Sequence, residues 1–367
     1  MQSVTITKNQ AGQRLDKFLK KYLPEAENSF LYKMLRKKNI TLNGKKAEGK
    51  EMLAQEDVVC FFFSEETFAK FRGNSVSDKA SSGLETSTDG RLMNKKVVPT
   101  IKMTKRVNEE NEYYKAYRSL SGITVLYEDE DVLFVNKPVG VLTQKAKPAD
   151  LSLNEWLIGY LLEKGDITEE ELETFHPSVC NRLDRNTSGI VLCGKTLPGS
   201  QMLSSVIRDR LVRKFYHTIC VGKVSQNASI EGYLQKDEAA NKVRISKVKA
   251  ENTAKEGESY IKTAYHPLQC SDKYTLLEVE LITGKTHQIR AHMASIGHPI
   301  IGDYKYGNTK VNNSLKQQFG LEAQLLHARR IEFTADSSVP EGLQGLVITA
   351  PCPKQFEELK KLVVSHV

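Results

Sequence analysis

Leu15, Phe18, Leu19, Tyr22 and Leu23 recur at helical spacing, which predicts an amphipathic helix over 13–23. Asn28 or Ser29 suits the cap of a second helix running to about Lys38. In Ile40-Thr41-Leu42-Asn43-Gly44-Lys45-Lys46 the Asn-Gly pair predicts a hairpin, because both residues tolerate positive φ. An apolar run over 58–63 reads as a buried strand. Between 73 and 90, Ser, Gly, Thr and Asp crowd out large apolar residues, so 64–121 reads as a flexible linker, with a short helix near 111–117. From 122 onward strands dominate. Runs at 125–127 and 132–135 flank the acidic turn Glu128-Asp129-Glu130-Asp131, and further strands fall at 189–193 and 274–281. Helices are expected over 154–164, over 198–211, and from Thr286, as N-cap, to Ile296, where Gly297 stops the last one. The pattern implies an α+β architecture: a mixed, mainly antiparallel sheet with helices packed on it, preceded by a small N-terminal α/β unit. The expected divisions are 1–63, a linker over 64–121, and 122–367.

The chain has 367 residues, 53 basic and 45 acidic, for a net charge of +8. Residues 1–63 hold 12 basic and 7 acidic side chains, so a net of +5 sits in that short segment. Such a concentration fits a polyanionic partner. The six cysteines contain no C-x-x-C pair, which excludes a zinc ribbon and points to reduced thiols. No apolar run reaches the roughly 18–20 residues a bilayer span requires, and the first residues do not read as a signal peptide. A cytoplasmic protein that does not engage a membrane is expected.

Two attractive motifs fail on context. Gly189 to Thr196 fits G-x-x-x-x-G-K-T, but Ile190-Val191-Leu192-Cys193 reads as a buried strand where a phosphate cradle needs an exposed loop. His287 and His292 are five apart on one helix, so they do not share a face as metal ligands would. No metal site is expected.

Three polar clusters interrupt the apolar strands: Asn181-Arg182-Leu183-Asp184-Arg185-Asn186-Thr187-Ser188-Gly189, Lys214-Phe215-Tyr216-His217, and Gly284-Lys285-Thr286-His287-Gln288-Ile289-Arg290-Ala291-His292. Taken alone, the first also reads as a polar turn entering a strand. The first cluster resembles the Arg-Leu-Asp-x-x-Thr-Ser-Gly signature of the RluA family of pseudouridine synthases. Tyr127-Glu128-Asp129 through Asn136-Lys137-Pro138-Val139-Gly140 resembles that family's entry motif. The third cluster, with Gly297-His298-Pro299-Ile300-Ile301-Gly302-Asp303 and Tyr306-Gly307, resembles its later motif, and Leu326-His327-Ala328 the strand after it. The resemblance spans about 122–355 in order. Asn181 stands where most members carry His, Lys285 where Arg is commoner, and the linker is longer than usual. The N-terminal segment resembles the S-four-like (alpha-L) RNA-binding domain, through Arg14-Leu15-Asp16-Lys17-Phe18-Leu19 and Arg36-Lys37-Lys38-Asn39-Ile40 with Leu42-Asn43-Gly44-Lys45.

The resemblance implies an enzyme that isomerises uridine in RNA without cofactor or metal. It implies Asp184 as the catalytic carboxylate, Arg290 as its basic partner and Tyr216 as an aromatic that meets the flipped uracil. Arg182 is implied to fill the space the base leaves. Arg14, Arg36, Lys37, Lys38 and Lys45 are implied to touch RNA, and Arg208, Arg210, Arg213 and Lys214 have the charge to follow a phosphate backbone. On the helix at 286–296, Ile289, Met293 and Ile296 form the apolar stripe, and Arg290 is expected beside that face, outside the packing. The implied partner is RNA, ribosomal in preference to transfer RNA, and a monomer is expected. Two other classes stay open at this stage. One is a non-catalytic RNA binder on the enzyme fold, and the other is a glycosidase with paired carboxylates.

Overall fold

The structure, a computed structural model, describes residues 1–73, 111–237, 242–247 and 257–363. Its residues group into two units, one formed by 1–6 with 13–111 and the other by 7–12 with 112–367.

The first unit contains β1 (Gln2–Thr5), α1 (Leu15–Tyr22), α2 (Asn28–Arg36), β2 (Ile40–Leu42), β3 (Lys45–Lys46), β4 (Val58–Phe61) and α3 (Glu65–Phe71). The strands form one antiparallel sheet in the order β1-β4-β2-β3. The Asn-Gly turn is as expected: Asn43 has φ 51° and Gly44 φ 73° between β2 and β3. Neither Asn28 nor Ser29 caps α2; that position belongs to Glu27, without a side-chain cap. Packing also runs past the expected boundary at 63. Ser64 caps α3, and Phe68 meets Phe61 at 5.4 Å between ring centroids while Phe71 meets Phe30 at 4.4 Å. The rest of the expected linker, 74–110, lies outside the described residues.

The second unit opens with α4 (Glu112–Ser119), close to the short helix expected there. It then runs β5 (Thr124–Glu128), β6 (Val132–Lys137), α5 (Leu153–Lys164), α6 (Glu169–Leu172), β7 (Ser178–Val179), β8 (Ser188–Gly194), α7 (Leu197–Arg208) and β9 (Val212–Val221). After these come β10 (Ala228–Asp237), β11 (Lys242–Lys247), β12 (Glu258–Cys270), β13 (Tyr274–Leu281), α8 (Gln288–Ser295), α9 (Thr309–Phe319), β14 (Leu326–Phe333), β15 (Val347–Thr349) and α10 (Lys354–Leu359). Helix α4 belongs to this packing and not to a linker. Gly159 of α5 makes room for it, since a Cβ there would lie 2.2 Å from the Tyr113 carbonyl oxygen.

Eleven described strands form one sheet with the path β11-β10-β12-β13-β9-β14-β8-β6-β5, with β15 on β14 and β7 on β8. Every pairing is antiparallel except β14 with β8. Strand β14 therefore separates β8 from β9. At the parallel seam His327 faces Ser188 and Ala328 faces Gly189, where a Cβ would lie 2.3 Å from the Ala328 carbonyl oxygen. Gly189 also has φ 114°, so no other residue fits.

Alternation along the strands builds a core on each face. Leu133, Val135, Val191 and Cys193 pack with Trp156, Leu157 and Leu161 of α5 and with Ile289 and Met293 of α8. Val132, Phe134, Ile190 and Leu192 pack with Leu203 and Val206 of α7. The G-x-x-x-x-G-K-T stretch is the fully buried strand β8, and its Thr196 caps α7. All six cysteines are free. Among the described residues no helix is long and apolar enough to cross a membrane.

Candidate active site

The loop between β7 and β8 carries Asp184 and is pinned on both sides of it. On one side, Thr143 Oγ1 donates to the Leu183 carbonyl at 2.8 Å and accepts the Leu183 N–H at 3.2 Å. On the other, the Arg185 carbonyl accepts from Gly140 N–H at 2.9 Å and from Lys137 Nζ at 3.2 Å. Lys137 is fully buried and also donates to the Pro138 and Val141 carbonyls at 2.9 and 2.8 Å. Burial pulls its ammonium down to about 7, against the opposing pull of the Asp184 charge. Three carbonyl acceptors need three N–H donors, and only the ammonium form supplies them.

Helix α8 starts at Gln288 and not after a Thr286 cap. Its N-cap is His287, in left-handed backbone at φ 56° and ψ 13°. The turn is closed by the Gln288 amide, whose Oε1 accepts from Lys285 N–H at 3.1 Å and Thr283 Oγ1 at 2.9 Å. The apolar stripe of α8 packs as expected, but Arg290 is not outside the packing: residues 288–293 are all buried. A guanidinium survives there because two carboxylates surround it. Arg290 Nη1 donates to Asp184 Oδ2 at 2.7 Å, while Nε and Nη2 donate to Asp303 Oδ2 and Oδ1 at 2.7 and 2.9 Å. Burial alone would lower the arginine's pKa, but the hydrogen bonds and charges of Asp303, then of Asp184, raise it. Asp303, fully buried, also accepts the N–H groups of Lys305 and Tyr306 at 2.8 and 3.1 Å. Burial pushes its carboxyl up and Arg290 holds it below the usual range.

Tyr216 comes from β9, and it lines the same cleft as Asp184 and Arg290. Burial and the Asp184 charge raise its phenol, so its hydroxyl remains a donor at neutral pH. Lys214, two residues earlier on the same face of the strand, also lines the cleft, and burial lowers its ammonium. The cleft encloses about 950 Å³, and Lys145, Arg182, Arg208, Arg210 and Lys285 stand on its walls. Of the basic residues expected along a phosphate backbone, Arg213 is committed elsewhere. It pairs with Glu280 at 2.8 Å and Glu332 at 3.3 Å. In the N-terminal unit Arg36, Lys37, Lys38 and Lys45 are exposed, while Arg14 pairs with Asp16 at 2.7 Å.

Sequence reasoning gave no role to Asp303 or Lys137, and weighed His287 only as a metal ligand. His287 instead approaches Asp184 Oδ2 at 3.7 Å and meets the Tyr306 hydroxyl at 3.0 Å. His292 binds Thr263 Oγ1 at 2.8 Å. Among the described residues no three His, Cys, Asp or Glu side chains are grouped to hold a metal.

Residues 131–295, which include Asp184, Tyr216 and Arg290, match the family described as RNA pseudouridylate synthase. Ribosomal large subunit pseudouridine synthase C of Vibrio parahaemolyticus is 27% identical over 365 residues, covering 98% of this chain and 95% of that protein. Ribosomal large subunit pseudouridine synthase D of Neisseria meningitidis serogroup B is 26% identical over 362 residues, covering 97% and 80%. The solved structure of Human RNA Pseudouridylate Synthase Domain Containing 4 matches with a TM-score of 0.54 at 21% identity, covering 68% of this chain and 95% of that one, a likeness of fold. With the family's match lying across the cleft and relatives named as ribosomal large subunit pseudouridine synthases running along nearly its whole length, the chain is similar to the RNA pseudouridine synthases, isomerases that convert uridine to pseudouridine.

Proposed function

We propose that this chain isomerises uridine to pseudouridine in large-subunit ribosomal RNA, with Asp184 as the catalytic carboxylate. The observation that carries the reading is the ion pair from Arg290 to Asp184, backed by Asp303, inside a cleft walled by basic side chains. Isomerisation breaks the bond from N1 of uracil to the sugar and forms one from C5; C5 loses a proton and N1 gains one, so the atoms balance within the nucleotide. Breaking a bond at an anomeric carbon builds positive charge on the sugar. An ionised carboxylate stabilises that charge or captures it. Arg290, donating to Oδ2 at 2.7 Å, holds Asp184 in place and aims it.

Tyr216 supplies a flat face and a hydroxyl donor for the uracil. Arg182, exposed on the cleft wall, suits the gap left by the flipped base, whose extrusion costs a few kcal/mol. The cleft lies at the upper end of the roughly 300–1,000 Å³ range of small-molecule sites, which suits a nucleotide with its flanking phosphates. The exposed Arg36, Lys37, Lys38 and Lys45 suit a second RNA-binding surface on the N-terminal unit, read as an S-four-like domain. Ribosomal RNA is favoured because the relatives' names specify it.

The test is chemical mapping of pseudouridine in ribosomal and transfer RNA from cells with and without the chain. The expected result is loss of one or a few large-subunit sites, restored by wild type and not by Asp184→Ala. Restoration by Asp184→Ala, or no lost site in any RNA, would sink the reading.

A further inference from the structure

His287 occupies left-handed backbone at φ 56°, a conformation unfavourable for a non-glycine residue that collects at functional sites. Its side chain is held in turn. The Tyr306 hydroxyl oxygen accepts the Val243 N–H of β11 at 2.9 Å and lies 3.0 Å from His287 Nδ1. With one lone pair taken by Val243, the hydroxyl has its own proton free to direct at Nδ1; in that arrangement Nδ1 accepts and the imidazole proton sits on Nε2. That Nε2 faces Asp184 Oδ2 at 3.7 Å, the same oxygen that Arg290 holds at 2.7 Å. Among the described residues no hydrogen bond reaches Asp184 Oδ1. The 3.7 Å separation is longer than a hydrogen bond, and catalytic contacts of this kind often shorten when substrate binds.

We propose that His287 is a positioning residue: held as the Nε2–H tautomer by Tyr306, it joins Arg290 on Oδ2 of Asp184 and leaves Oδ1 as the oxygen that meets the sugar. The proposal rests on Asp184 being the reacting carboxylate. It also gives the outer strand β11 a function, since its Val243 N–H sets the direction of the Tyr306 hydroxyl and, through it, the imidazole tautomer. Asp303 supports the same arrangement by holding the Tyr306 backbone with one oxygen while both oxygens hold Arg290.

The test uses the full chain and ribosomal RNA purified from cells that lack it, read as pseudouridine formed per unit time across a range of RNA concentrations. His287→Gly and His287→Asn relieve or tolerate the left-handed backbone but remove the donor toward Asp184. Both are expected to fold at least as well as wild type, to keep KM within about twofold and to lose about 10- to 100-fold in kcat. His287→Gln keeps the backbone strain but places an amide N–H where Nε2 was, and is expected to recover most of the rate. Tyr306→Phe, which frees the tautomer, should lower kcat with KM unchanged. A purely conformational role predicts the opposite order, with Gly and Asn active and Gln impaired, and that order would overturn the proposal. Asp184→Asn separates the two levels. If it stays active, or wild type forms no pseudouridine, the functional reading falls and this proposal with it. If wild type is active, Asp184→Asn is dead and His287→Gly runs at the wild-type rate, the proposal alone falls.

Discussion

Asp303 grips Arg290 with both carboxylate oxygens, at 2.7 and 2.9 Å, and is itself fully buried. It is the arginine's permanent partner, leaving Nη1 for the carboxylate that faces the cleft. Asp303→Asn leaves a buried guanidinium with one charge partner in place of two. We expect a loss of about 3–5 kcal/mol in urea unfolding, the usual cost of breaking a buried pair, and a large fall in activity. A change below about 1 kcal/mol would mean that the pair contributes little.

Lys137 should tolerate no substitute. Its ammonium reaches the carbonyls of Pro138, Val141 and Arg185 at once. Lys137→Met orphans the Pro138 and Val141 carbonyls and leaves Arg185 with only the Gly140 N–H, at about 1–3 kcal/mol for each acceptor left buried and unpaired. Lys137→Arg adds bulk to a fully enclosed site and should not rescue. Unfolding and pseudouridine formation measured on both variants check this; a stable, active arginine variant would refute it.

The seam between β8 and β14 predicts an acid sensitivity. Ser188 Oγ lies 2.9 Å from His327 Nδ1, and Nε2 donates to the Ala350 carbonyl at 3.2 Å. Burial holds the imidazole neutral down to about 4 in the fold, whereas an unfolded histidine takes its proton near 6.5. Between those values the unfolded chain binds more protons, so stability falls as pH drops from 6.5 to 4, by up to about 3 kcal/mol from this group. His327→Leu should be less stable at pH 8 but lose less on acidification. Urea midpoints at both ends of that window decide it; an unchanged slope would count against the assignment.

RNA affinity should carry a salt signature traceable to the N-terminal unit. Reversing Lys37 and Lys38 to Glu in the full chain should weaken binding. The slope of log affinity against log salt should fall by about 0.7–0.9 for each phosphate that is no longer neutralised. Equal slopes for variant and wild type would show that these lysines face solvent only.

Much of the fold was readable residue by residue. The strand expected at 274–281 is β13, and the Asn43-Gly44 turn follows from the freedom of those two residues. The start of α8 was misread because a capping rule favours Thr286, while the turn is closed by the longer Gln288 side chain. The linker's ends were misread because aromatic residues at 68, 71, 113 and 117 find their partners only in three dimensions. For the site, Asp184, Tyr216, Arg290 and Arg182 were named by resemblance, and the cleft brings those four together. Asp303 and Lys137 lay within the matching motifs but received no role. What they do depends on neighbours in space, a guanidinium on the preceding helix and three carbonyls from two loops, and no local pattern encodes that.

Strand β14 has one more consequence, for the order of assembly. Among the described strands it alone joins β8, which follows the Asp184 loop, to β9, which carries Tyr216. Until it is in place the sheet is two separate pieces with open edges, β5-β6-β8 with β7 on one side and β9-β13-β12-β10-β11 on the other. Ser188 and His327, which face each other across the seam, are 139 residues apart, so closing it carries a long-loop entropy and falls late in folding. During synthesis the growing chain therefore holds both sides of the cleft, the Asp184 loop and Tyr216, well before they can meet. The cleft is assembled only once β14, which gives its lining Leu326, has been made.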